Sequence, residues 1–203
     1  MRFDKVISLG LACGAAYQIR RRFDQTETYP FDWLVTQMNG LLQLLDGDFK
    51  GFLCKDNMVE HETYVEDTAF CIKFFHDFPE NKCNDASMEE VREKYQRRIT
   101  RWRGTIKQVS SVLFVRSMAF NLADEVMDWE QCERLGAHLD NLRSGMNWRL
   151  LVSNPSSSGI APRSSKHIAL RRLDFPMTPF VWSGDDQAWS DLFDSVLRDF
   201  DTS

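Results

Sequence analysis

The spacing of apolar and polar positions changes along this chain, and the change predicts strands alternating with helices. Residues 6–9 form a short apolar run that ends at Gly10, a pattern typical of a buried strand. Residues 12–23 repeat apolar side chains at helical spacing, so they predict a helix directly after that strand. Residues 64–76 alternate instead, and they predict the longest strand of the chain.

Two further helices and a strand are predicted on either side of residues 112–153. Residues 88–103 predict the clearest amphipathic helix, which Ser87 and Glu90 would begin as a capping box. Residues 167–173 predict a strand, and residues 186–200 predict a last helix with one apolar face.

The middle of the chain indicates the fold class. Residues 112–116 and 149–153 predict parallel strands joined by a helix over 122–142, with a right-handed crossover. The loop at 153–165 replaces the next crossover helix, so the direction of the following strand stays open. The pattern predicts an α/β three-layer sandwich, in which helices flank a mainly parallel or mixed sheet. The chain is expected to form a single globular domain over residues 1–203.

Three short segments follow predicted strands and therefore mark a candidate site. Ligands of α/β proteins gather at the carboxyl ends of parallel strands and at the adjoining helix starts. Residues 10–13, 76–78 and 116–117 would share one rim if all three strands are parallel.

The composition excludes several classes of partner. The chain has 25 Lys and Arg against 30 Asp and Glu residues, so it lacks the positive field that favours nucleic acid or an anionic membrane. It has neither an apolar run of about 20 residues nor a signal-peptide pattern, so a soluble cytoplasmic protein is expected. Five cysteines without a C-x-x-C pair predict reduced thiols and no structural zinc. No metal or cofactor is predicted, and the oligomeric state stays open.

Cys13 is the first candidate for chemistry, because it lies in the first turn of the helix predicted over 12–23. Free backbone N–H groups and the positive end of the helix dipole favour an anion there, so the pKa of the thiol is expected to be lowered. The alternative is that Cys13 fills the core, since free cysteine is among the most buried residue types.

His76 is the candidate base among the four histidines, because it ends its predicted strand beside core side chains. In a thiol mechanism its imidazole takes the Cys13 proton, and a carboxylate orients the other ring nitrogen. Asp32 is the preferred carboxylate, since an ionised group between aromatic residues needs a partner. Asp77 is expected on the opposite strand face, and Asp186 is expected to cap the last helix. The alternative for His76 is a structural histidine, hydrogen-bonded at a strand end.

Basic residues provide candidate contacts to a substrate. Arg98 belongs to a basic helix flank that suits a phosphate or carboxylate, or else forms a solvated face paired with neighbouring glutamates. Arg116 ends an apolar strand, where a charge needs a ligand or a buried partner such as Asp32 or Asp77. The residues predicted to bind substrate are Arg98, Arg116, Asp77, Trp182 and Asp186.

Six strings in a fixed order resemble a known family, the putative papain-like cysteine peptidases of domain of unknown function 1796, found mainly in bacteria. The strings span almost the whole chain. They are SLGLACGAA around Cys13, YPFDWL around Asp32, FFHDF around His76, KYQRRITRW around Arg98, VLFVRS around Arg116, and WSGDDQAW beginning at Trp182.

The resemblance implies a Cys–His hydrolase or acyl transferase with Cys13 as nucleophile and His76 as general base. The predicted parallel sheet departs from the architecture of papain, which puts a peptidase activity in doubt but not the Cys13 site. The first strand, its cysteine and the Pro-Phe turn are also similar in layout to GSCFA-type members of the SGNH hydrolase group. Those proteins carry a late Asp-x-x-His, but here Asp186 is followed by Trp189, which argues against a standard SGNH esterase.

Two functions follow from these residues. The preferred one is a thiol hydrolase or acyl transferase acting on a peptide, isopeptide or acyl substrate, with Cys13, His76 and Asp32 as catalytic residues. The alternative is a non-catalytic domain that binds an anionic ligand, such as a phosphorylated glycan, through Arg98 and Arg116. Thiol reactivity separates the two, because a core cysteine is inert and a nucleophile is accessible.

Overall fold

Strands and helices alternate along the chain in the computed structural model, which describes residues 2–117, 126–174 and 182–201. The strands within these ranges are β1 (Lys5–Ser8), β2 (Leu34–Thr36), β3 (Met58–Glu60), β4 (Val65–Asp67), β5 (Ile72–Phe74), β6 (Ser111–Ser117), β7 (Asn147–Asn154), β8 (Arg163–Ser164) and β9 (Ile168–Arg172). The α-helices in the same ranges are α1 (Cys13–Phe23), α2 (Met38–Asp46), α3 (Asp85–Gln108), α4 (Trp129–Leu142) and α5 (Asp186–Asp201).

The larger sheet has five strands in the order β1-β6-β7-β9-β8. Strands β1, β6, β7 and β9 run parallel, and the short edge strand β8 pairs antiparallel with β9. Every residue of β6 is buried, as expected for a central parallel strand covered on both faces. The α/β class with a mixed, mostly parallel sheet is confirmed. The direction that the sequence left open is also resolved, because β9 is parallel to β7.

Helices cover both faces of this sheet, which gives three layers. Neighbouring residues of a strand point to opposite faces, so β6 contributes to two cores. Leu113 and Val115 pack in the core with α1 and α5, whereas Val112 and Phe114 pack in the core with α2, α3 and α4. Among the described residues, none of the helices combines the length and the apolar character that crossing a bilayer requires.

A second, antiparallel sheet has the order β2-β5-β4-β3 and packs into the core of α2, α3 and α4. The single long strand predicted over 64–76 is therefore wrong, because β4 and β5 are separate strands. The Asp67 carboxylate accepts a hydrogen bond from the backbone of Ala69 at 3.2 Å, and Cys71 has a left-handed φ of 50°. This aspartate turn reverses the chain inside a run whose apolar alternation looks continuous.

Helices α1, α3 and α5 lie close to their predicted positions, but α3 and α5 are capped by other residues than predicted, and α2 was not predicted. Helix α3 is capped by Asn84, whose side chain accepts from the backbone of Ser87, so the predicted capping box at Ser87 is wrong. Helix α5 is capped by Asp185, which accepts from the backbone of Ala188 at 2.7 Å. The capping role expected for Asp186 therefore belongs to its neighbour.

Helix α4 begins at Trp129, later than the helix predicted over 122–142. A capping box of Asp128 and Gln131 starts it, with hydrogen bonds in both directions. Residues 126–128 are not helical, and residues 122–125 lie outside the described residues.

Candidate functional site

A cavity of about 800 Å³ lies between the start of α1, the second sheet and α3. Most of its wall is aromatic or aliphatic, and a few titratable side chains converge on it, which is the usual composition of a small-molecule site. The lining residues are Ala12, Cys13, Trp33, Val35, Phe75, His76, Asp77, Lys94, Arg98 and Trp182.

The structure brings together some of the predicted site residues and separates others. Asp32, Arg116 and Asp186 are not among the residues that line the cavity. The predicted residues that do line it are Cys13, His76, Asp77, Arg98 and Trp182.

Cys13 and His76 line the same cavity, but the strands that place them are not arranged as the sequence predicted. Residues 10–13 follow β1, and residues 116–117 are the last two of its parallel neighbour β6, so these two segments share an edge as expected. Residues 76–78 follow β5, which belongs to the antiparallel sheet, so one common parallel rim is wrong. Packing of the second sheet against α3 and the start of α1 brings the histidine to the thiol side.

The turn before Cys13 is held in an unusual backbone conformation. Gly10 has a φ of 76°, and a Cβ atom there would lie 2.6 Å from Thr36 Oγ1. Leu11 follows with a φ of 79°, and its backbone N–H donates to Thr36 Oγ1 at 3.1 Å. Left-handed backbone at a non-glycine residue costs free energy and persists only where surrounding contacts impose it. Thr36 therefore fixes the position at which α1, and with it Cys13, begins.

The start of α1 leaves backbone donors free. Its N-cap residue is Ala12, which has extended backbone and makes no side-chain capping hydrogen bond. The first N–H groups of a helix have no partner inside the helix, and a capping side chain usually satisfies one of them. Here the uncapped N–H groups lie beside the Cys13 thiol at the cavity, so they can bind an oxygen that becomes negative during a reaction.

The thiol of Cys13 is protonated at neutral pH. Burial, followed by the negative charges of Asp77 and Asp32, raises the pKa of Cys13 to about 11. The lowered thiol pKa expected from the helix start is therefore wrong, because the cost of burying a thiolate exceeds the stabilisation that the backbone provides. Cys13 is half-buried, so it is neither a fully packed core residue nor an open surface thiol.

His76 and Asp77 both line the cavity, although strand alternation predicts opposite faces. Both lie beyond the end of β5, where the chain bends and alternation no longer applies. His76 is exposed and has no hydrogen-bond partner among the described residues. The Asp77 side chain is 2% exposed, accepts from Lys94 Nζ at 2.5 Å and accepts from the Tyr95 hydroxyl at 3.1 Å.

Asp32, the preferred carboxylate of the sequence analysis, is buried behind the cavity wall. It accepts a hydrogen bond from the backbone of Tyr29 at 3.0 Å, and the nearest Arg20 nitrogen is 4.0 Å away. Burial raises its pKa to about 6, against the lowering effects of the Tyr29 N–H and of three arginines including Arg98. Asp32 makes no hydrogen bond to His76, and its role as an orienting group stays a prediction.

Arg98 and two tryptophans complete the wall. Arg98 is 8% exposed, stacks over the ring of Tyr95 at 4.8 Å and lines the cavity. Trp33 adopts a left-handed φ of 68°, which is rare for a bulky residue and directs the chain into β2. Its ring lies 6.1 Å from that of Trp182, which is exposed.

Arg116 and Asp186 act within the fold. Arg116 is fully buried and donates to the Leu9 carbonyl at 3.0 Å and to the carbonyl and hydroxyl of Thr36 at 2.8 and 2.9 Å. These hydrogen bonds go to Leu9 and Thr36 and not to Asp32 or Asp77, the partners that the sequence predicted. The Asp186 carboxylate accepts from Gln18 Nε2 at 2.8 Å, which joins α5 to α1.

Half of the residues that line the cavity were not predicted from the sequence. Lys94 precedes Arg98 by four residues, a spacing that places both on one helix face, so this signal was present. Val35 lies in β2 and Trp33 directly precedes it, but three residues are too short a strand to predict. Phe75 was missed because the predicted strand was continued past Phe74, where β5 ends.

The chain is similar to known proteins over the part that builds most of the cavity. The model of the family described as "Putative papain-like cysteine peptidase (DUF1796)" matches residues 4–152. The chain is 27% identical over 176 residues to "Uncharacterized protein R408" of Acanthamoeba polyphaga mimivirus, a match that covers 74% of this chain and 78% of that protein. No solved structure matches the chain significantly. The family match includes Cys13, His76 and Arg98, and it ends before Trp182.

Proposed function

The chain belongs to the DUF1796 family of putative papain-like cysteine peptidases, and from this premise we propose that it is a thiol-dependent hydrolase or acyl transferase. One observation carries the proposal. Cys13 lies at an uncapped helix start in a cavity that it shares with the partner-free imidazole of His76. A nucleophile, a base and oxyanion donors around one concave site are what acyl transfer requires.

The reaction begins with the protonated thiol. At pH 7 a thiol with a pKa of about 11 has roughly one thiolate in 10⁴ molecules, so a base must take its proton during attack. His76 accepts the proton as Cys13 Sγ bonds to the carbonyl carbon. The carbonyl electron pair moves to oxygen, and the free N–H groups of the first α1 turn stabilise the oxyanion.

The intermediate then collapses to a thioester. The oxyanion re-forms the carbonyl, the bond to the leaving amine or alcohol breaks, and His76 returns the proton to that leaving group. In hydrolysis, water attacks the thioester while His76 takes its proton and then gives it to the departing Cys13 sulfur. In acyl transfer, another amine or alcohol takes the place of water.

Two carboxylates are candidates to support His76. Asp32 is retained as the predicted orienting group, and Asp77 lies nearer in the chain and lines the same cavity. Both oxygens of Asp77 already accept hydrogen bonds, from Lys94 and from Tyr95. Asp32→Asn and Asp77→Asn, compared for the rate of Cys13 acylation, separate the two roles.

The test is acetylation of the thiols by p-nitrophenyl acetate, followed residue by residue with mass spectrometry. Cys13 is expected to form a thioester at neutral pH, and His76→Ala is expected to slow its formation at least about 100-fold. In His76→Ala the rate should rise about tenfold per pH unit, because it then follows the thiolate fraction below a pKa of about 11.

The controls lie in the same chain. The exposed Cys54 reports ordinary thiol acetylation, and His61→Ala removes a histidine that lies 3.2 Å from Glu66, outside the cavity. Equal acetylation of Cys13 before and after removal of His76 would refute the thiol mechanism.

A second function is favoured by one observation. The raised pKa of Cys13, together with a buried arginine at the same cavity, suits a domain that binds an anionic ligand without reacting with it. That function predicts that Cys13→Ser leaves ligand affinity unchanged, whereas Arg98→Ala weakens it.

A further inference from the structure

Arg98 is a buried charge without a hydrogen-bond acceptor. Arg98 is only 8% exposed. Its Nη1 atom is buried from water and has no hydrogen-bond partner among the described residues. Among the described residues no group accepts a hydrogen bond from this guanidinium, and its described contact is the ring of Tyr95. A buried charge normally has a counter-ion, because removing it from water costs several kcal/mol.

No described residue that lines the cavity forms an ion pair with Arg98. Lys94 and Asp77 form an ion pair at 2.5 Å, so these two lining residues neutralise each other. The positive charge of Arg98 lowers the pKa of Asp32, but the two side chains make no hydrogen bond. Apart from His76, the charged groups that line the cavity in the described chain sum to one positive charge, which is carried by Arg98.

We propose that Arg98 binds a carboxylate of the substrate, so that the cavity accepts acyl compounds that carry one negative charge. A guanidinium fork matches a planar carboxylate with two parallel hydrogen bonds. One carboxylate balances the single positive charge, whereas a phosphate dianion would leave excess negative charge beside Asp77. The acyl part of this proposal rests on the proposed thiol function, and the carboxylate site does not.

The aromatic wall indicates what accompanies that carboxylate. Trp33 and Trp182 lie 6.1 Å apart between ring centres, and Phe75 adds a third ring to the cavity lining. Aromatic walls bury flat apolar groups at low entropic cost. An acylated aromatic amino acid with a free carboxylate is therefore a suitable probe.

The experiment measures binding of N-acetylphenylalanine and of its neutral carboxamide to the full chain by titration calorimetry. The free acid is expected to bind at least about tenfold more tightly than the amide, because a charged hydrogen bond is lost in the amide. Arg98→Gln should bring the ratio to within about twofold. Arg97→Gln removes the same charge from an exposed neighbour on α3 and should leave the ratio unchanged.

Two further arms identify the carboxylate and exclude misfolding. N-acetylglutamic acid 1-amide presents its carboxylate on a side chain, so comparison with N-acetylphenylalanine separates a side-chain from a main-chain source. Arg98→Lys keeps the charge but loses the fork, and it should retain only part of the preference. Thermal unfolding of each variant shows whether it is folded.

The outcomes separate the two proposals. Two results would overturn the carboxylate site. One is an acid-to-amide ratio near one for N-acetylphenylalanine together with binding of N-acetylglutamic acid 1-amide that does not depend on Arg98, and the other is a ratio that survives Arg98→Gln. If the acid binds more tightly than the amide but His76→Ala does not change the acetylation rate of Cys13, the carboxylate site stands and the thiol function fails. If acetylation depends on His76 and the ratio is near one, the substrate class alone is wrong.

Discussion

Two buried arginines lie in different surroundings in this protein. Arg116 lies where β1, β6 and β2 meet, and it donates hydrogen bonds to Leu9 and Thr36. Arg98 lies on α3 at the cavity wall, and no described group accepts a hydrogen bond from it. The two are the same residue type at similar depth, so the difference lies in their neighbours.

The difference separates a framework region from the candidate binding region. The Arg116 hydrogen bonds tie the end of β1 to β2, and Thr36 of the same cluster also holds the Leu11 backbone before Cys13. Buried polar groups that are hydrogen-bonded in this way fix one arrangement of the chain. An unsatisfied buried group is costly for stability, and such costs are concentrated at functional sites.

The largest expected effect is the loss of the framework. Arg116→Met leaves the buried carbonyl of Thr36 without this donor, so the free energy of unfolding should fall by about 3–5 kcal/mol. Denaturant titration measures it. Arg97→Met, at an exposed position, should change the free energy of unfolding by less than about 0.5 kcal/mol. Equal small effects of both substitutions would contradict the framework role.

Asp32 gives the next largest effect, with a defined dependence on pH. Its folded-state pKa of about 6 lies above the usual 3.8, so the folded chain binds this proton more tightly than the unfolded chain. Stability from this group is therefore greatest below about pH 4, falls as the pH rises to about 6, and remains lower above that. Two pKa units correspond to about 3 kcal/mol at most.

Replacement by asparagine should remove that loss. Asp32→Asn keeps an oxygen for the Tyr29 N–H, so at pH 7 the variant should be more stable than the wild type by up to about 3 kcal/mol. Denaturant titrations from pH 4 to pH 7 measure it, and Asp191→Asn on the exposed face of α5 is the control. A wild type whose stability is flat over this range would disprove the buried, proton-binding carboxylate.

The smallest effect tests the contrast between the arginines directly. Arg98→Met should raise the free energy of unfolding by about 1 kcal/mol, because it removes an unpaired buried charge and loses one ring contact with Tyr95. The measurement belongs at pH 5, where Asp32 is mostly protonated and does not need the arginine. A marked loss of stability would place Arg98 in the framework with Arg116.

Much of the fold was predictable, because local patterns determine it. The strand, turn and helix around Cys13, the βαβ unit and the last helix each bury one continuous apolar face. The break between β4 and β5 was not predictable from alternation, since Asp67 turns the chain without interrupting the apolar pattern. The second sheet followed from that turn, so it was missed as well.

The candidate site was predictable in part. Cys13, His76 and Arg98 stood out by residue type and by position in their elements, and all three line one cavity. The electrostatics did not follow, because the pKa of Cys13 depends on burial and on Asp77, a residue that is distant in sequence. The partners of Arg116 were likewise oxygen atoms from two other strands, and no spacing along the chain indicates them.

Local patterns along the chain were enough to predict the α/β class, the order of most elements and the residue types that can react. These features depend on side chains within a few positions of one another, and hydrophobic periodicity records them. Tertiary packing, in contrast, determines that Cys13 and His76 line one cavity, that Arg116 donates hydrogen bonds to Leu9 and Thr36, and that no described group accepts one from Arg98. Those outcomes depend on distances between remote segments, and burial sets the free energy of each charge after the chain has folded.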